Sequence, residues 1–471
     1  MAFNSFPFLI FILLFFIVWP FVKRKQNLRF VLLISSSFVF YGWWDWRFIF
    51  LIIISGLVDF FAAWAIEKYR AWGKFWLTLS ILINLGMLSI FKYSPFFAGI
   101  IDQVFGLFSI ATEFKHNLPE FTYLLPVGIS FYTFQSMSYT IDVYRSKLKP
   151  TNNILHFFSY LVMFPQLVAG PIVRAKDFLY QLKTSREVSG LEFWNGIKLI
   201  ILGYFQKMVL ADNLGVFVDN AFAGVDNGIG IYWWTVMACF TFQIYFDFSG
   251  YTQIARGLAK LMGYHFRMNF NHPYLALSLK DFWSRWHISL STWFRDYVYI
   301  PLGGNKKGLF RTHLNIWITM ILSGLWHGAQ LNFVLWGAYH GMVLSLERML
   351  HTRFKLKETV LKRVFDSGVT IILVTIGWVL FRATSVNQIV QILENLFRFD
   401  FNFEFMTIFF NSMVFLVFAI LFEGLYPVLR KRKSVRQFLK NKYIESIVIA
   451  FAIAAIIFLR GPEKEFIYFQ F

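Results

Sequence analysis

Apolar runs follow one another along almost the whole chain, broken by short polar loops. They lie at about 6–22, 30–44, 48–66, 75–91, 121–141, 196–220, 231–249, 312–326, 331–347, 364–382, 406–426 and 443–460. Most approach the roughly 20 residues a helix needs to cross a bilayer. Two further stretches, 154–169 and 277–299, are apolar but short or interrupted. That pattern suits re-entrant or interfacial helices. The predicted fold class is an all-α polytopic membrane protein with about 11–12 transmembrane helices and additional re-entrant or interfacial ones.

The polar loops test this reading independently. Lys23, Arg24, Lys25 and Arg29 follow the first run, Lys68, Arg70 and Lys74 the third, and Arg145, Lys147 and Lys149 the fifth. Arg353, Lys355, Lys357, Lys362 and Arg363 precede the tenth. Arg430, Lys431, Arg432, Lys433, Arg436, Lys440 and Lys442 precede the twelfth. If every run spans, all of these loops share one side, and the excess of Lys and Arg assigns that side to the cytoplasm and both termini to the outside. The loop 383–405 falls outside and is poor in Lys and Arg. The opening MAFNSFPFLIF has no basic segment before its apolar run, so it reads as a retained helix and not a cleaved signal.

Composition narrows the function. Of 471 residues, 57% are hydrophobic and only 15% charged, which excludes a disordered chain and an ordinary cytosolic enzyme. The net charge of +19 resides in the loops, so it orients the protein in lipid and does not point to nucleic acid. Cys239 is the only cysteine, which excludes an internal disulfide and a cysteine-rich metal site. No His-x-x-x-His or His-Glu-x-x-His spacing occurs, so no metal is expected. No internal repeat is evident, which weakens a transporter built from inverted repeats.

The stretch from 242 to 341 differs from the rest. Asp247, Arg256, His265, His272, Asp281, Arg285, His287, Arg295, Asp296, His327 and His340 stand there among aromatics. Each ionisable group in a membrane segment costs about 2.5–3.5 kcal/mol, so such groups face a cavity or carry function. In SGLWHGAQLNFVLWG, Gly324 and Gly328 bracket Trp326 and His327. Glycines allow a bend and close approach of a ligand. A neutral imidazole there takes a proton from a hydroxyl, or it holds two helices together. In LKDFWSRWHISLSTWFRDYVYIPLGGNKKG, Asp281 and Arg285 are spaced to pair on a helix, as are Arg285 and Ser289. Asp296 either orients an imidazole or pairs with an arginine. Trp283, Trp286 and Trp293 suit a bilayer interface. Asp247, in QIYFDFSGY, is either a substrate-facing acid or a partner for an arginine of 285–295.

Several long stretches together resemble the membrane-bound O-acyltransferase family. They are LLPVGISFYTFQSMSYTIDVYR, FPQLVAGPIVRA, YFDFSGYTQIARGLAKLMG, FWSRWHISLSTWFRDYVYIPLGGN, GLWHGAQLNFVLWGAYHG and the end FIYFQF. The resemblance extends over nearly the whole chain and is strongest to the bacterial branch that O-acetylates alginate and peptidoglycan. It implies one integral membrane domain over 1–471, helices ringing a central tunnel, a catalytic core at about 121–347 and an extracytoplasmic tail at 461–471. It implies His327 as the catalytic histidine and His287 as a second functional one. The donor implied is acetyl-CoA or another acyl thioester, with no bound cofactor. Asp247, Arg285, Arg295, Asp296 and Trp326 become candidates for donor binding or the tunnel wall, with Lys306 and Lys307 adding charge at its mouth. The location implied is the bacterial cytoplasmic (inner) membrane, in contact with lipid.

No stretch outside the membrane is long enough for a second catalytic domain, so final transfer is expected to need an extracytoplasmic partner resembling an SGNH hydrolase. The Phe-x-Tyr-x-x-Phe spacing at 466–471 resembles the end of an accessory protein of teichoic-acid D-alanylation. That likeness makes Tyr468 a possible acyl relay. Without it, the aromatics read as interface anchors. D-alanyl transfer to teichoic acid and a non-enzymatic transporter are the competing functions.

Overall fold

A computed structural model describes residues 1–168, 170–224, 230–353, 359–398, 406–439 and 441–467. The apolar runs form helices, and no strand occurs among these residues. Five helical stretches are long and apolar enough to cross a membrane: Gln26–Lys68, Arg70–Leu107, Gly190–Ala223, Val360–Arg382 and Ser412–Leu429. Lys433–Leu439 and Lys442–Phe458, bent by 70°, add a sixth if taken as one span. This is fewer than the run count for physical reasons. Gln26–Lys68 contains two runs, joined through a 3₁₀ turn at Trp46–Phe48. Ile231–Leu261, Gly308–His327 and Leu331–Arg353 are long, but polar residues along them dilute their apolarity.

The two stretches expected to be interrupted are so. Residues 154–169 hold the short helices Ile154–Leu161 and Phe164–Leu167. Residues 277–299 hold Leu279–Arg285, Ile288–Phe294 and a π-helical turn, Arg295–Tyr299. The helix expected from 121 starts only at Ile129, because Pro126 cannot donate a backbone bond and Gly128 turns the chain at φ +75°.

Packing divides the chain into two compact units. The first comprises Met1–Ile197 and Ala255–Arg267. Its core is tied by the fully buried Asp59, whose carboxylate accepts bonds from Ser80, Asn84, Ser136 and Thr140 on the helices Gly73–Leu88 and Ile129–Tyr144. A buried carboxylate is tolerable only when its lone pairs are met in this way.

The second unit comprises Lys198–Ile254 and Met268–Phe471 and carries the candidate site. Its backbone is a hairpin of Gly308–His327 against Leu331–Arg353. Glycines let these helices nearly touch. A Cβ on Gly324 would lie 2.1 Å from the Phe333 carbonyl oxygen, and one on Gly337 2.4 Å from that of Met320. A Cβ on Gly328 would strike the Phe333 ring at 2.1 Å. The glycines around His327 therefore serve helix contact, where the sequence suggested room for a ligand.

Candidate active site

His327 is the last residue of Gly308–His327, held at that end by the close hairpin. Its ring is buried and lies 5.0 Å from Trp326, 5.2 Å from Trp336 and 5.2 Å from Phe381, centroid to centroid. His340, one turn from Trp336, packs on Trp336 at 4.7 Å and on Trp283 at 5.1 Å. Gly377 leaves room for it, since a Cβ there would come within 2.7 Å of its Nε2.

His287 joins the same cluster from another direction. It stands at φ +41°, a left-handed backbone conformation uncommon outside glycine, between Leu279–Arg285 and Ile288–Phe294. Asn269 holds this break: its carbonyl accepts the Ile288 N–H at 2.9 Å, and its side-chain oxygen accepts the Ser289 N–H at 3.0 Å. The buried imidazole packs on Phe248 at 4.6 Å and on Trp326 at 6.0 Å. Trp326 thus separates the two candidate histidines and touches both.

A cavity of about 780 Å³ opens beside this cluster. Ile316, Thr319, Met320 and Ser323 form one wall, and His327 is the next position along that helix face. Lys280, Arg295 and Arg348 bring positive charge to the lining, with Glu347 among them. The Trp283 side chain also lines it. Among the described residues, the buried indole N–H groups of Trp283 and Trp336 meet no acceptor. A ligand carbonyl is the kind of acceptor to which such N–H groups donate.

The other expected residues divide. Arg295 lines the cavity and pairs with Asp296 at 2.8 Å, the arginine partner the sequence offered as one alternative for Asp296. Arg285 pairs with Asp281 at 2.8 Å; the helix break at His287 keeps it from Ser289, and it is not part of the cavity wall. Lys306 and Lys307 are exposed and also stand apart from the wall. Asp247 pairs with Lys207 at 2.6 Å, where the sequence offered an arginine of 285–295. Trp286 and Trp293 are buried in the aromatic core and do not cap an interface. Tyr468 lies outside the described residues.

Sequence reasoning missed Lys207, Arg348, Glu423 and Lys280. Glu423, fully buried, accepts from the Tyr245 hydroxyl at 3.0 Å and lies 3.0 Å from His272 Nδ1. One signal appears only in the backbone. Lys207, Arg295 and Glu423 each stand on a π-helical turn, at 205–211, 295–299 and 421–425. Such turns are rare and recur at functional sites. No group of three or more His, Cys, Asp or Glu side chains able to hold a metal occurs among the described residues.

A buried histidine one turn beyond the wall of a basic cavity suits proton transfer on a substrate that carries an anionic handle. The comparison with known proteins agrees with that chemistry. Residues 143–390 match the model of the membrane-bound O-acyltransferase family, and the chain belongs to it. It is an O-acyltransferase, an enzyme and a multi-pass membrane protein. Among its relatives, the probable alginate O-acetylase AlgI of Pseudomonas aeruginosa is 40% identical over 386 residues, covering 80% of this chain and 71% of the relative. The peptidoglycan O-acetyltransferase of Helicobacter pylori is 30% identical over 411 residues, covering 81% and 76%. The teichoic acid D-alanyltransferase of Bacillus subtilis is 30% identical over 247 residues, covering 49% and 59%.

Proposed function

We propose that this enzyme transfers an acetyl group from acetyl-CoA, or another acyl thioester, toward an exported polysaccharide or peptidoglycan across the bacterial inner membrane. The observation that carries this reading is the continuous helix face from the cavity wall to His327. Ser323 lines the cavity, and one turn later the imidazole stands in an aromatic cage. Lys280, Arg295 and Arg348 suit the phosphate groups of a nucleotide donor, Arg through its paired donors.

In this scheme His327 takes the proton of the accepting hydroxyl as its oxygen attacks the thioester carbonyl. The new C–O bond forms, the C–S bond breaks, and the thiolate leaves to be protonated. The indole N–H groups of Trp283 and Trp336 donate to the oxygen on which negative charge develops. Groups oriented in advance for that charge are often the largest single contribution to rate. His287 acts behind Trp326 as a positioning residue.

The distribution of Lys and Arg in the loops supports an orientation with both termini outside. Tyr468 then relays the acetyl group to an extracytoplasmic SGNH-hydrolase-like partner. The support is local: Phe466, two residues earlier, packs on Phe248 at 5.4 Å, and Phe248 packs on His287. Purified protein given isotope-labelled acetyl-CoA should release free CoA and take up label. Absence of cleavage with acetyl-CoA and with other acyl thioesters would overturn the reading.

A further inference from the structure

Away from the cavity, the second unit contains a second polar cluster, built from three helices. Lys207 lies 2.8 Å from Asp212 and 2.6 Å from Asp247, and all three side chains are buried. Asp219, further along the helix Asp212–Ala223, is met by Arg382, the last residue of Val360–Arg382, at 2.9 Å. Taken alone, these five side chains carry three negative and two positive charges. The cluster is one cation short, and the deficit falls at Asp219, whose side chain is 42% exposed.

The missing cation comes from the segment after the helix Lys442–Phe458. Lys464 pairs with Asp219 at 2.5 Å, which balances the cluster. Its neighbour Glu465 is exposed and borders the same small pocket. Room for the lysine arm is made by Gly215, where a Cβ would lie 3.1 Å from Lys464 Nζ and 2.7 Å from Gln243 Nε2. Backbone bonds fix the segment on either side. The Gly461 N–H donates to the Met208 carbonyl at 2.8 Å, and the Ile467 N–H donates to Asp247 Oδ2 at 2.7 Å.

Between these bonds Phe466 is buried against Tyr251 at 5.0 Å and Phe248 at 5.4 Å. From Phe248 the ring contacts continue through His287 and Trp326 to His327. We infer that Asp219, Asp247 and Lys207 form a charge-matched docking slot for residues 464–467, and that Lys464 is its key. The slot makes these residues positioning residues: they hold Phe466 against Phe248, where the ring contacts to the histidine cluster begin. Docking itself needs no acyl chemistry. Its consequence for turnover rests on the acyl-transfer reading above.

The test compares Lys464→Met/Asp219→Asn with Lys464→Arg in the full-length protein. The double variant leaves two anions against two cations and removes the docking pair; Arg382 loses the Asp219 carboxylate but can still donate to the amide oxygen at that position. This variant is expected to reach the membrane at the normal level. Hydrogen exchange of peptides beginning at 461 should quicken by about tenfold or more, as in a segment that opens locally. Polymer acetylation should fall with it, while the KM for acetyl-CoA stays unchanged. Lys464→Arg should retain slow exchange and transfer. Wild-type exchange in the double variant would overturn the slot. Quickened exchange with wild-type transfer would overturn its positioning role. Loss of donor cleavage by the wild type would count against acyl transfer and leave the exchange result standing.

Discussion

Gly324→Ala adds one methyl group where the catalytic hairpin is tightest. The Cβ would lie 2.1 Å from the Phe333 carbonyl oxygen, against 3.4 Å or more for ordinary contact. Both sides are backbone, so no side chain can swing away and the helices must part by about 1 Å. Overpacking of that kind costs about 1–3 kcal/mol, which a large helical unit can absorb. Catalysis is less tolerant. His327 lies three residues beyond Gly324 and Trp336 three beyond Phe333, so the displacement separates the imidazole from its cage. A misplacement of about 1 Å can lower a rate by about 10²-fold. The assay is acetyl transfer in membranes normalised to enzyme level, with Gly368→Ala as control, since a Cβ at Gly368 meets nothing within 4 Å. The control should match the wild type or gain up to about 1 kcal/mol in stability. Wild-type turnover in Gly324→Ala would refute the claim that this contact sets the site.

Further expectations follow from the cavity and the terminal segment. Arg295→Ala and Arg348→Ala should each raise the KM for acetyl-CoA by about tenfold with normal expression, the loss of one charge-assisted contact; the steady-state donor titration reads this. Trp283→Phe keeps an aromatic ring, smaller than the indole, and removes the N–H, and should lower kcat by about 10–10³-fold with little change in donor KM, seen in the same titration. Tyr468→Phe should abolish polymer acetylation at unchanged protein level, and peptide mass spectrometry should find an acetyl adduct on Tyr468 when donor is present and the partner absent.

Much of this architecture is written in local pattern. Hydropathy marked the helices, and the interruption of 277–299 was visible in its own residues. His327 stood out between two apolar runs. What escaped depends on contacts distant in sequence. Nothing around Asp247 announces Lys207, forty residues earlier, and nothing around Asp219 announces Arg382 or Lys464. Arg348 looks like a residue near a helix end until the hairpin brings it to the cavity. The left-handed backbone of His287 is equally silent, because Asn269, eighteen residues away, enforces it. Glycine carried a double meaning: the same residues permit a bend or a close helix crossing, and only the neighbouring helix decides which.

The central claim is that His327 moves the proton of the accepting hydroxyl. His327→Ala removes the imidazole and leaves the hairpin glycines and the cavity lining intact. Acetyl transfer from labelled acetyl-CoA, measured in membranes with matched enzyme levels across pH, tests it most directly. The account predicts a loss of about 10²–10⁴-fold in kcat with donor binding retained. A correctly inserted His327→Ala protein that turns over at the wild-type rate would contradict it.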